Sequence, residues 1–342
     1  MTDTMQTLAL LTSAYAQTFP DKLIQLFNRM AVTLALFPVQ TGAGKNISWD
    51  VEYDGALAEN HAEGADAANF GSDGAAPALL SWGHYRSNFH VSDTAEMVGA
   101  SSHSPSDLRS PWARNWLNSV RKLASTINGK AYTGDGTGTE MSGLSVALKD
   151  DNTYAGIDRT AGTALATGFK AKVIDPGTLT AITRDLVGKD LSDIKVLSGE
   201  RPDIALVHPD VFQKVRGLFE PGRRWEKEVY SARGKTILDN SADVIIIDNC
   251  QFVEDKDATN NAIHYLNSNY VYWEALPRPA GTGWDGPLVP SDQADAGRLL
   301  SAFHAYEIAR LGESRRGSVA GKLNLVVSKP LACGIRKNVS TT

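Results

Sequence analysis

Apolar positions recur with helical spacing through one long stretch of this chain. Between Asp107 and Ile127 they fall at Leu108, Trp112, Trp116, Leu117, Val120, Leu123, Ala124 and Ile127. Counted from Trp112, the offsets follow a 3.6-residue period and place a single apolar stripe on one face. Ser110-Pro111 supplies a start, since serine caps orphan amides and proline suits the first helical turn. Asn128-Gly129 supplies the expected stop, where a left-handed residue can close a helix. Two indoles one turn apart are expected to anchor this helix by burial.

A different period appears on either side of residues 54–79. From Asn46 to Tyr53 the chain alternates, with Ile47, Trp49, Val51 and Tyr53 apolar, as in a half-exposed strand. From Leu80 to Val91 a second strand is expected, with Trp82, His84, Arg86, Asn88 and His90 on one side and Tyr85, Phe89 and Val91 on the other. Between them, Asp54 to Leu79 is rich in Ala, Gly and acids. From Asp50 to Tyr85 there is no Lys or Arg, against seven acids: Asp50, Glu52, Asp54, Glu59, Glu63, Asp66 and Asp73. Such a composition cannot build a core of its own. Flanked by strands, it predicts a long hairpin reaching outward.

The rest of the pattern predicts a mixed lobe from about Gly143 to Leu300. Residues 4–30 form two helical pieces broken at Phe19-Pro20, the second with Leu23, Ile24, Leu26, Phe27 and Met30 on its apolar side. They suit either core or a docking arm. Leu144–Leu148 and the region around Gly156 are expected as strand and turn. A helix is expected from Asp175-Pro176 (Leu179, Ile182, Leu186, Val187), stopped by Gly188. Pro202–Phe212 predicts a buried strand feeding a helix. Val244–Ile247 predicts a strand covered on both faces. Ile263–Tyr265 and Tyr270–Trp273 add strands around an Asn267-Ser268-Asn269 turn. Residues 277–297 are expected as loop, and Phe303–Ile308 and Lys322–Ser328 as closing strands.

Composition narrows the class. At 342 residues two lobes are expected, and 42% apolar with 21% charged residues is ordinary globular usage. A net charge of −5 argues against nucleic-acid binding by a generally basic surface. Cys250 and Cys333 form no CxxC and no disulfide framework, which suits a reducing compartment, and nothing nearby marks either as a nucleophile. The apolar run Met30–Phe37 is too short to span a bilayer and is expected as buried structure.

Candidate chemistry is sparse. Gly134-Asp135-Gly136-Thr137-Gly138 follows a helix, whereas a dinucleotide loop follows a strand and opens a helix, and it lacks a P-loop ending. Gly143-Leu144-Ser145-Val146-Ala147 misses a nucleophile elbow by one residue. Neither His304/Glu307 nor His84/His90 has zinc-site spacing, and Glu254–Asp257 lacks the later oxygens of a calcium loop and is expected as a solvated charged turn. No catalytic, cofactor or metal residue is therefore assigned. Two basic groups, Arg223-Arg224 with Lys227 and Arg315-Arg316 with Arg310, suit solvated charge, sequence-neutral contact with a nucleic-acid backbone or bidentate pairing with the acidic stretch of another copy.

The succession Ala131-Tyr132-Thr133-Gly134-Asp135-Gly136-Thr137-Gly138-Thr139, then Met141-Ser142-Gly143-Leu144, then Thr153-Tyr154-Ala155-Gly156-Ile157-Asp158-Arg159 closely resembles the major capsid proteins of tailed bacteriophages. The resemblance implies an α+β, Hong Kong 97-like fold. Its parts would be an N-terminal arm (1–45), an extended E-loop hairpin with flanking strands (46–100), a spine helix and turn (101–142), an axial A domain (143–300) and returning peripheral P-domain strands (301–342). It implies a non-enzymatic subunit of pentamers and hexamers, with Trp112, Trp116, Val120, Leu123 and Ile127 packing the spine. Inter-subunit contacts are expected at Asp54, Glu59, Glu63, Asp66, Asp73, Arg223, Arg224, Arg315 and Arg316. Implied partners are further copies of the chain, a scaffolding protein, a portal and packaged DNA contacted without sequence specificity, with no membrane. The implied location is the virion capsid, assembled in the host cytoplasm. No lysine lies between Lys45 and Lys122, so a lysine cross-link from the loop is not expected. Strand pattern beginning near Ile47 leaves little room for a built-in scaffolding segment. An encapsulin-like compartment shell is the alternative within the fold, and a soluble α/β enzyme with an acidic lid is the alternative outside it.

Overall fold

The computed structural model describes residues 31–55, 63, 74–95, 97, 111–218, 230–232, 235–238, 245–276, 303–308 and 312–341. In chain order, α1 (Val32–Leu36) and β1 (Val39–Thr41) precede β2 (Ile47–Asp54), β3 (Gly74–Leu80) and β4 (Gly83–Ser92). The 23-residue helix α2 (Pro111–Thr133) follows. Next come α3 (Leu144–Ala147), β5 (Thr153–Tyr154), β6 (Ile157–Asp158), α4 (Ala164–Gly168), β7 (Lys172–Ile174) and α5 (Arg184–Ser198). Then come β8 (Ile204–Val207), α6 (Pro209–Gly217), β9 (Tyr230–Ala232), β10 (Lys235–Leu238), β11 (Ile245–Ile247), β12 (Cys250–Glu254) and β13 (Ile263–Leu266). The chain closes with β14 (Val271–Ala275), β15 (Phe303–Ile308), β16 (Ser314–Val327) and β17 (Gly334–Arg336). It divides into two compact units: Met1–Gly42, Gly83–Lys130 and Trp273–Leu323 form the first, and Ala43–Trp82, Ala131–Tyr272 and Asn324–Thr342 the second.

The first unit is built on a five-stranded sheet in which β1, β14, β16 and β15 run in that order and β4 also pairs with β16. The α2 stripe is as expected: Val120, Leu123, Ala124 and Ile127 are buried, whereas Trp112 and Trp116 are half-buried rather than engulfed. Pro111 is the first helical residue, and Ser110 lies outside the described residues. The helix does not stop at Asn128-Gly129. Asn128 is fully buried, and its Oδ1 accepts from both the amide (3.0 Å) and hydroxyl (2.7 Å) of Thr33. That side chain is spent on α1 rather than on a left-handed cap. Burial of Ala131 and Tyr132 rewards one more turn. Trp273 Nε1 donates to the Thr33 carbonyl (3.0 Å), so Ala31–Phe37 sits in the core of this unit. The expected 1–45 arm is therefore corrected from residue 31 onward, and the expected helices in 4–30 lie outside the described residues.

The second unit centres on a six-stranded sheet ordered β11-β12-β8-β13-β17-β7. The buried strand expected before His208 is β8, with all four residues buried, parallel to β12 and antiparallel to β13. It feeds α6, where His208 caps the Asp210 amide and Pro209 takes the first turn. Val187, Leu191 and Ile194 of α5 and Val211, Phe212 and Val215 of α6 pack on Ala205, Val207, Phe252, Ile263 and Tyr265. Four expectations are corrected here. Leu144–Ala147 is a short helix, because Gly143 and Leu144 accept the amides that follow them. Asp175-Pro176-Gly177 is a turn, closed by the Gly177 amide on Asp175 Oδ1 (2.9 Å) with Gly177 at φ +71°. The helix starts instead at Arg184, capped by Thr183, and continues through Gly188 to a left-handed Gly199. Finally, Ile245–Ile247 is not covered on both faces: among the described residues β11 is an edge strand, and Ile246 is 40% exposed, while Val244 lies outside the described residues.

Polar groups inside this unit are paired in ways the local sequence does not announce. Asp190 of α5 is buried and accepts from both Nε and Nη2 of Arg336 of β17, a bidentate pair on one guanidinium edge, with Tyr265 OH donating to the same carboxylate at 3.2 Å. Asp255, in the run expected to be a solvated turn, is buried and accepts from Tyr132 OH at 2.8 Å. His264 lies beside that ring and is fully buried; desolvation pulls its imidazole down to about 4. Strand β17 and the residues after Asn324 belong to this second unit, as do β2 and β3. The expected boundaries 301–342 and 46–100 are therefore both cut by the actual division.

Candidate inter-subunit surfaces

Residues 47–80 form a two-stranded ribbon. β2 and β3 pair antiparallel from Ile47↔Leu80 to Asp54↔Gly74, with a bulge between Glu52 and Asp54. The residues 75–79 expected in the loop are thus a strand. A Cβ at Gly74 would lie 2.8 Å from the exposed Tyr53 ring, which would have to shift to admit it. The second expected strand, Leu80–Val91, is divided at Ser81-Trp82. Trp82 is buried, donating to the Gly44 carbonyl at 3.2 Å, rather than lying on the exposed row with His84. The two faces of the ribbon differ sharply. Ile47, Trp49 and Val51 with Leu80, Ala78 and Ala76 are buried or half-buried, whereas Ser48, Asp50 and Glu52 with Leu79, Pro77 and Ala75 are exposed.

The footing of this ribbon is the Tyr154–Arg159 segment. Ala155 and Gly156 both have positive φ (51° and 79°), as a two-residue hairpin turn between β5 and β6 requires. The Ala155 carbonyl accepts the Leu79 amide (2.8 Å), and Trp49 packs at 6.5 Å from the Tyr154 ring while donating to the Ser328 carbonyl (3.2 Å). Tyr154 OH in turn accepts the Val327 amide at 3.0 Å. Arg159 is fully buried over the Tyr154 and Phe169 rings, 4.8 and 5.5 Å from their centroids, and donates to the Lys149 carbonyl at 2.6 Å. Burial pulls its guanidinium down to about 10. Its Nε and Nη2 have no hydrogen-bond partner among the described residues.

The neighbouring Gly-rich turn closes on itself. Gly136 N donates to the Met141 carbonyl (3.1 Å), Gly143 N to that of Gly134 (3.0 Å), and Thr137 N to Asp135 Oδ1 (2.9 Å). Ser145 Oγ donates to the Gly134 carbonyl at 3.0 Å. These hydrogen bonds fix the turn that joins α2 to α3.

The expected contact residues are scattered by the fold. Asp54 ends β2, exposed, with Oδ1 accepting the Gly55 amide (3.0 Å), and Glu63 is exposed. Glu59, Asp66, Asp73, Arg223 and Arg224 lie outside the described residues. Arg315 and Arg316 are adjacent in β16 and point to opposite faces. Arg315 is committed within its own chain. It pairs with Glu307 through Nε (2.9 Å) and Nη2 (3.1 Å) and lies 4.1 Å from the Trp112 ring, itself 4.8 Å from Phe89. Arg316 stands on the other face opposite His90. Among the described residues no group of three metal-ligating side chains gathers, and no helix is long and apolar enough to cross a membrane.

A long helix beside one sheet, a mixed α/β unit and a two-stranded ribbon together make the Hong Kong 97-like capsid fold. Solved structures with this fold cover nearly the whole chain. The cyanophage A-1(L) capsid asymmetric unit matches at TM-score 0.67 and 16% identity, over 95% of this chain and 94% of that one. The capsid of an empty GTA particle matches at 0.61 and 10%, over 98% and 100%. The holo-SrpI encapsulin complex from Synechococcus elongatus PCC 7942 matches at 0.58 and 10%, over 99% and 97%. No family model and no curated protein matches the chain.

Proposed function

We propose that this chain is a tailed-phage major capsid protein whose work is to bind copies of itself. The observation that carries the reading is the ribbon: one face is seated on Tyr154 and its neighbours, while the other, with Asp50, Glu52 and Leu79, is left in solvent. A two-stranded ribbon is marginal on its own, and an exposed face mixing carboxylates with Leu79, Pro77 and Ala75 suits a protein partner. Heterologous contacts that close by rotation give rings, here pentamers and hexamers, and rings tile a closed shell. Many modest contacts per subunit then act at high effective concentration. Assembly uses a separate scaffolding protein and a portal, encloses DNA without reading its sequence, takes place in the host cytoplasm, and involves no lysine cross-link from the ribbon. The acids Asp54, Glu59, Glu63, Asp66 and Asp73 and the arginines Arg223, Arg224 and Arg316 contribute at subunit boundaries.

The likeness to an encapsulin complex supports a second reading, a shell that houses protein cargo. Negative-stain microscopy of the chain expressed with and without neighbouring gene products tests both. Closed particles containing nucleic acid support the capsid reading, particles holding an enzyme support the compartment, and monomers under every condition refute both.

A further inference from the structure

We propose that Asp54-Gly55, at the open end of the β2–β3 ribbon, is a self-modification site where the folded chain converts aspartate to isoaspartate through a cyclic imide. The inference is independent of the shell-forming reading. It rests on how the fold treats the steps in which an aspartate or asparagine precedes a glycine: Asp54-Gly55, Asp73-Gly74, Asn128-Gly129, Asp135-Gly136 and Asp285-Gly286. Asp73, Asp285 and Gly286 lie outside the described residues, which leaves three steps to compare.

Ring closure needs the glycine nitrogen at the side-chain carboxyl carbon, room for a five-membered ring, and a backbone free to turn. Glycine suits the second position because no Cβ obstructs the attack. The Gly55 amide lies 3.0 Å from Asp54 Oδ1, an oxygen bonded to the carbon to be attacked. Holding two reactants together in this way replaces a chance encounter by a local one. A Cβ built on Gly55 meets nothing within 4 Å, so the ring has space. Both residues are exposed, so water reaches the imide. The ladder is already interrupted beside them, where the register shifts between Glu52 and Asp54.

The other two steps are protected. Asn128-Gly129 has the more reactive side chain, an amide, and on sequence alone would go first. In the fold it lies inside α2, with Asn128 fully buried and its Oδ1 held by the Thr33 amide (3.0 Å) and hydroxyl (2.7 Å). Closing the ring there would turn Asn128 out of the helix and break the hydrogen-bond ladder. At Asp135-Gly136 the carboxylate is drawn one residue too far along, to the Thr137 amide (2.9 Å) and hydroxyl (2.8 Å). The Gly136 amide donates instead to the Met141 carbonyl at 3.1 Å.

The reaction balances with water alone. The Gly55 nitrogen bonds to Cγ of the protonated Asp54 carboxyl, and its proton leaves with the carboxyl hydroxyl as water. A second water opens the ring at the main-chain carbonyl, breaking the original peptide bond. Gly55 stays attached through Cγ, and the released carboxylate sits on Cα. Mass and charge are unchanged, while the main chain gains a methylene beside Asp54↔Gly74, the last described pair of the ribbon.

Ageing the full chain, as free subunits, in mildly acidic water labelled with heavy oxygen tests this, because the water that opens the ring stays in the product. Peptide mapping with electron-transfer fragmentation then separates isoaspartate from aspartate. In the native chain, labelled isoaspartate at position 54 should exceed that at position 135 about tenfold, and Asn128 should stay unconverted. In denaturant all three steps should convert. Gly55→Ala should melt with the parent, since its Cβ enters open space, and should cut conversion at Asp54 about tenfold. The proposal is overturned if native Asp54 stays unlabelled while the denatured chain converts. It is equally overturned if native Asp135 or Asn128 converts as fast as Asp54, or if Gly55→Ala keeps the parental rate. None of these readings depends on whether the chain forms shells.

Discussion

The buried Asp190–Arg336 pair makes a quantitative prediction. Asp190 is 1% exposed and Arg336 7%, so the pair is nearly dry. It ties α5 to β17 through Nε and Nη2 of one guanidinium edge, with Tyr265 OH donating to Asp190 as well. Asp190→Asn would leave a guanidinium in the core without its counter-charge, a change that costs about 3–5 kcal/mol. In a unit of this size, 1 kcal/mol moves the melting temperature by about 2–4 °C, so the drop should be on the order of 10 °C. Arg336→Met should cost a similar amount, since it strands the carboxylate. Asp190→Leu combined with Arg336→Met removes both charges and should lie within about 1–2 kcal/mol of the parent, because apolar replacement of a buried pair is often near neutral. Guanidinium denaturation of these chains together with Asp190→Leu alone closes a double-mutant cycle, with an expected coupling of at least about 4 kcal/mol. Additive single costs, or a loss under 1 kcal/mol for Asp190→Asn, would show that the pair does not tie these elements together.

Other consequences follow from the same interior. Gly317→Ala would put a Cβ 2.5 Å from Phe89 Cζ and 2.7 Å from the Trp112 ring. It should cost about 1–3 kcal/mol, and Phe89→Leu in the same chain should recover part of that loss in thermal melts. His264 titrates in the folded state near 4 against an ordinary 6.5, so the unfolded chain binds the extra proton between those values. Stability should therefore fall by roughly 3 kcal/mol as pH drops from about 6.5 to about 4; His264→Leu should flatten that part of the pH profile. Tyr132→Phe removes the donor to buried Asp255 and should cost about 1–3 kcal/mol, read by chemical denaturation. Burial pushes both thiols up, Cys333 to about 12, so a thiol reagent should label the native protein only after denaturant is added.

The parts of the fold legible from sequence are those whose cause is local. The α2 stripe and the alternation in β2 and β4 are written in periods of 3.6 and 2, and those elements appear where the periods place them. Misplaced features are those decided at a distance. Asn128-Gly129 has the chemistry of a stop, but the Thr33 contact, 95 residues away, takes the asparagine side chain. Asp255 sits in a charged run and looks solvated, while its hydroxyl donor comes from Tyr132. Ile245–Ile247 has the composition of a central strand, but an edge position is fixed only by pairing. The acidic ribbon row was visible as a cation-free stretch. His84, Arg86 and His90 alternate along β4, whereas Arg316 and Lys322 come opposite that row only through the register of β16. The same register separates Arg315 from Arg316, which adjacency in sequence groups together.

Deleting residues 56–73, beyond the last described pair of the ribbon, tests most directly whether this protein's stability and its assembly are separate properties. The seated strands keep their footing on Trp49 and Tyr154, so the shortened chain should melt at the parent temperature. It should nevertheless sediment as free subunits or small oligomers under conditions in which the parent forms closed particles. Normal yields of equally heat-resistant particles from the shortened chain would contradict assembly by a ribbon that grips its neighbour.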